Sequence, residues 1–150
     1  MTRRAEPGGW YEDFRYRLRF EGPARQAYQS LRATRTGKGI NTRITYAVSV
    51  TVPEYGDQRA VKIRLANYTR RHLVTVTVGG PTESPHRYAD GALGMWYPED
   101  GLDRKWQPEE GLLTLIRYGR LHLFQETYWR EYGDRPGPEA PHAPQGKEAA

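Results

Sequence analysis

Apolar and polar residues alternate most regularly in the middle of the chain. From Ile44 to Val52, Tyr46, Val48, Val50 and Val52 fall on one face and the run stops at Pro53. Period two is the signature of a half-buried strand. A polar turn holding Gly56 and Asp57 follows, and Val61, Ile63 and Leu65 then repeat the pattern. A third run, Leu73 to Val78, places Val74, Val76 and Val78 on one side and ends at Gly79, Gly80 and Pro81. Short connections make an antiparallel meander the economical arrangement.

The pattern switches to helical spacing after Pro108. Leu112, Leu115, Ile116, Gly119, Leu123 and Thr127 lie on one stripe of a helix predicted to run to about Tyr132. Glu109 and Glu110 suit its N-terminus and Gly133 its stop. Gly119 is expected to let this helix lie close to the sheet, as its cover. Near the start, Phe14, Tyr16, Leu18 and Phe20 alternate with charged residues and read as a strand, although Trp10, Phe14 and Leu18 also recur every four residues, as in a helix. Pro23 then opens a short predicted helix through Ala27 and Leu31 that closes near Thr36 and Gly37. The fold class is α+β, an antiparallel strand meander packed against helices. The ordered domain is expected over residues 10–135, between a flexible N-terminus (1–9) and a Pro/Gly-rich C-terminal tail (136–150).

The length of 150 residues allows one domain. No window resembles a membrane span, and the basic start is not followed by an apolar signal core, so no membrane partner is expected and the expected location is cytoplasmic. The net charge of +5 raises the question of an acidic partner. Arg15, Arg17, Arg19, Arg25, Arg32, Arg35 and Arg43 load the first third, whereas the last third mixes Glu and Arg. A basic nucleic-acid binder would need the early arginines to share one face; on charge alone nucleic acid is not the expected partner.

With no cysteine in the chain, disulfides, thiolate metal ligands and thiol catalysis are all excluded. No phosphate-cradling loop or nucleotide fingerprint is present, and no cofactor is expected. Chemistry concentrates in Ser84, Pro85, His86, Arg87 and Tyr88, a turn at Asp90 and Gly91, and then Leu93, Gly94, Met95, Trp96 and Tyr97. Trp106 and Pro108 open the next helix. His86 and Asp90 offer a hydrolase or transferase pair, although both residues also suit turns. A metal held by His86, His122 and His142 is a further possibility, with Glu126 one helical turn from His122. Trp96, Tyr97 and Trp106 are read as core and lid, or as a partner-facing surface together with Met95.

This order of motifs resembles the ubiquitin-conjugating enzymes over roughly residues 23–132, and in particular their divergent bacterial branch, which works in ubiquitin-like conjugation and antiviral systems. Members of that branch tend to carry Ser-Pro-His-Arg-Tyr, an Asp-Gly turn and Leu-Cys-Met-Trp, followed by Glu-Ala-Pro-His, here Glu139 to His142. The resemblance implies a ubiquitin-conjugating fold and, as partners, a ubiquitin-like protein or an activating enzyme. It places Gly94 at the position of the thioester-forming cysteine, with His86 and Asp90 as its supporting residues. Glycine has no side chain and cannot carry an acyl group. The family's oxyanion-stabilising asparagine also has no match, since Pro85 and His86 lead directly to Arg87. The reading is therefore a catalytically inactive relative that binds without forming a covalent bond.

Overall fold

The computed structural model describes residues 14–38, 41–68, 71–81, 84, 87, 91–93, 106 and 108–134. Its elements run in the order α1 (Phe14–Ala27), β1 (Arg32–Thr36), β2 (Arg43–Thr51), β3 (Gln58–Tyr68), β4 (Arg71–Val78) and α2 (Gly111–Tyr132), with a 3-10 turn at Pro108–Glu110 leading into α2. The four strands form one antiparallel sheet in sequence order. This is the α+β architecture that the alternation predicts.

The register explains the two faces. Ala33, Tyr46, Ile63 and Val76 pair across the sheet in one row, and Ile44 with Leu65 and Val48 with Val61 continue the same face. Because side chains alternate along a strand, every second residue of β2 and β3 points to this side. Tyr46, Ile44, Ile63 and Leu65 are fully buried there against Phe20 and Ala24 of α1 and Leu112, Leu115, Ile116 and Leu123 of α2. Both helices thus cover one face of the sheet. Backbone contacts close the β2–β3 turn, where Val52 donates to Asp57 and Gly56 donates to Val52.

At the N-terminal end one open alternative is decided for the helix and one prediction fails. Residues 14–20 are helical, and the helix expected to begin at Pro23 instead ends at Ala27, so Arg32–Thr36 becomes an edge strand. Phe20 and Ala24 are buried one turn apart with Tyr16 half-buried before them, whereas Leu18, needed by the alternating pattern, is 55% exposed. A tertiary contact reinforces the helix: buried Glu21 accepts a 2.6 Å hydrogen bond from the Tyr46 hydroxyl and pairs with Arg17 and Arg25 one turn to either side. Pro23 is tolerated inside α1 on its exposed side, at the loss of one backbone hydrogen bond.

The stop of α2 is as expected. Gly133 adopts the left-handed conformation, φ 86°, and its N–H donates to the Trp129 carbonyl. The reason given for Gly119 does not hold, because a Cβ built there meets nothing within 4 Å.

Candidate functional site

After β4 the chain turns at Gly80 and enters the segment that carries the motif. Within it Arg87 and Leu93 form an isolated antiparallel bridge, and the Leu93 N–H donates to the Val76 carbonyl at 2.9 Å, fastening the segment to the inner part of β4. Ala92 and Leu93 are buried. Gly91 has φ 90°, a conformation that glycine adopts without strain, in keeping with the turn expected at that point.

Arg87 is the organising side chain. Its guanidinium donates to the Gly91 carbonyl at 2.8 Å and the Pro81 carbonyl at 3.2 Å, and it grips Glu126 of α2 at two points, Nε to Oε2 at 2.5 Å and Nη2 to Oε1 at 2.8 Å. Planar guanidinium and carboxylate groups match in this two-point geometry. Glu126 is fully buried, Arg87 nearly so, and Arg130 approaches the same carboxylate at 3.6 Å. Burial pushes the Glu126 carboxyl up, but the hydrogen bond from Arg87, the neighbouring His122 and their charges outweigh it and hold the group down at about 2. The carboxylate is ionised at neutral pH.

His122 lies one helical turn before Glu126, buried, with Nε2 3.3 Å from Oε2 but aligned so that it makes no hydrogen bond. Arg59 adds a further cation at the end of the sheet, donating to the Gly79 carbonyl at 2.7 Å and the Pro81 carbonyl at 3.3 Å. Its guanidinium packs against Gly80, where a Cβ would come within 2.8 Å of Nε. Burial lowers the pKa of Arg59, and the charges of Arg130 and Arg87 act in the same direction.

Trp106 is 4% exposed, meets Phe20 edge-on at 5.9 Å between ring centroids and donates its Nε1 hydrogen to the Gly111 carbonyl. It closes the core at the entry to α2, and its ring is packed inward. His86, Asp90, Gly94, Met95, Trp96, Tyr97 and His142 lie outside the described residues. Of the three histidines considered for a metal only His122 is described, and the described residues contain no cluster of three or more His, Cys, Asp or Glu suited to a metal ion. No described helix is long and apolar enough to cross a membrane.

No protein-family model, curated protein or solved structure matches this chain.

The described part of the site is an anchor. A buried ion pair joins the motif segment to the final helix. Sequence reading singled out Glu126 only as a neighbour of His122 and missed its pairing with Arg87. The available signal was a carboxylate at helical spacing from Leu112, Leu115 and Leu123, inside the stripe rather than opposite it. An acid in that position requires a buried cation.

Proposed function

We propose that this chain is a non-catalytic binding domain of the ubiquitin-conjugating type, which holds a ubiquitin-like protein or an activating enzyme in a bacterial, cytoplasmic conjugation or antiviral system. One observation carries the reading. The segment bearing the family-like motif is pinned between β4 and α2 by Arg87, and it runs from Leu93 directly into Gly94 in a chain without cysteine. A held support is what an acyl-carrying loop requires, and the Arg87 anchor beside a sequence with glycine in place of the family's cysteine supports the reading of such a loop without its acceptor. The element order, a helix, a four-stranded meander, an irregular segment and a long helix, agrees with that architecture.

The test is a charging assay of the protein and its Gly94→Cys variant with a cognate activating enzyme, ATP and ubiquitin-like protein. The expected result is a thiol-sensitive adduct on the cysteine variant only, with the unmodified protein binding the same partner non-covalently. A covalent adduct on the glycine protein would refute the inactive reading. If neither protein is charged and neither binds, the resemblance to conjugating enzymes carries no function.

A further inference from the structure

The face of the sheet opposite the helices carries a different chemistry. Its rows are Arg32, Ala47, Lys62 and Thr77; Thr34, Thr45, Arg64 and Thr75; and Arg43 beside Thr36 and Ala66. Arg32, Arg43, Lys62 and Arg64 are exposed, as are Thr34, Thr36, Ser49, Gln58 and Ala60, and no described side chain on this face is buried. No acidic residue stands on it among the described strand positions. Among the described residues the four cations have no carboxylate partner, whereas on α1 Arg17 and Arg25 both pair with Glu21. The early arginines do not all share one face: Arg15, Arg17, Arg19 and Arg25 lie on α1 and Arg35 in the row of Ile44, while Arg32 and Arg43 join Lys62 and Arg64 on the outer face of the sheet.

From this placement we infer that the outer sheet face binds the phosphate backbone of a nucleic-acid duplex. The inference is independent of the conjugation-related reading. Strand geometry puts Lys62 and Arg64 about 7 Å apart and Arg32 about 10 Å from Lys62 across two strands. Those spans lie between the minor-groove width of about 6 Å and the major-groove width of about 12 Å. Between the cations, small and hydroxyl-bearing residues let a sugar-phosphate backbone approach closely, and threonine and serine hydroxyls are common phosphate donors. The rows that hold the four cations contain no aromatic residue, Tyr68 standing in the row of Arg71 at the end of β3, so between the cations there is no platform for stacking unpaired bases. It is suited to recognising phosphates without regard to base sequence.

Titrating a labelled mixed-sequence duplex of about 20 base pairs by fluorescence anisotropy over a range of KCl concentrations tests this. Neutralising about four phosphates gives a slope of log K against log salt of about −3 to −4, so binding weakens on the order of a hundredfold between about 50 and 200 mM. Lys62→Gln and Arg64→Gln should each weaken binding several-fold and reduce the slope by about 1. Arg117→Gln removes the same charge from the exposed side of α2 and should leave both unchanged. Thermal melts of each variant confirm that the fold is intact, as expected for exposed positions. The inference is overturned if no binding is detected at the lowest salt, or if Arg117→Gln acts as strongly as Lys62→Gln. It also fails if single strands of the same sequence bind tighter than the duplex, or if poly-glutamate displaces the duplex as readily as unlabelled duplex does.

Discussion

Arg87 and Glu126, 39 residues apart, meet in a two-point ion pair whose carboxylate is fully buried, and through it the motif segment is tied to the last helix. Removing one member leaves the other charged in a place where water cannot reach it. Arg87→Ala or Glu126→Ala is expected to destabilise the domain by about 3–5 kcal/mol, read as a lower urea midpoint. The double variant should cost less than the sum of the singles, because no orphaned charge remains. Additive losses would mean that the two groups are not coupled.

The same carboxylate sets a pH dependence. Glu126 has a lower pKa when folded, about 2, than its ordinary value of 4.5, so between those values the unfolded chain binds the extra proton. Its contribution is present above about pH 4.5 and is lost as the pH falls towards 2, amounting to about 3 kcal/mol. Glu21 acts with the same sign: burial pushes its carboxyl up, but hydrogen bonds from Tyr46, Arg17 and Arg25 outweigh this and lower it. Urea melts at pH 7 and pH 3 should therefore show a large acid loss in the protein and a smaller one in Glu126→Gln. An equal loss in both would assign the acid sensitivity to other groups.

Gly119 sits inside α2 with space where a side chain would go. Alanine avoids the extra backbone entropy that glycine gives up on entering a helix, so Gly119→Ala should stabilise the protein by about 1 kcal/mol and raise its melting temperature. A destabilised variant would show that α2 packs more tightly at this turn than the open space implies.

The sequence revealed the structure wherever side-chain period and stop signals agreed. Tyr46, Val48 and Val50 pointed to β2, and the stripe from Leu112 to Leu123 with Gly133 after Tyr132 pointed to α2. At α1 the two periods overlap within seven residues, and what decides between them, the Tyr46 hydroxyl on Glu21, comes from 25 residues away. The strand β1 was hidden because it lies at an edge, where Arg32, Thr34, Arg35 and Thr36 are exposed and only Ala33 is half-buried. At the site, the turn at Gly91 was legible as local chemistry, whereas the Arg87 pair was not, since neither partner has a local reason to be charged and buried. The outer-face cations were visible one by one, and only the register placed them together.

Gly80 shows how backbone and charge depend on each other at the end of β4. Its φ of 102° suits glycine, and the space a Cβ would need is filled by the Arg59 guanidinium, itself bonded to the carbonyls on either side. Gly80→Ala is expected to cost about 1–3 kcal/mol from backbone strain, with a further loss from displacing Arg59. Combining it with Arg59→Ala separates the two effects, because the clash vanishes in that background while the strain remains. The penalty of Gly80→Ala should thus be smaller, but not zero, when Arg59 is already alanine. An unchanged penalty would show that Arg59 moves aside freely and that its two carbonyl bonds add little to the stability of this end of the sheet.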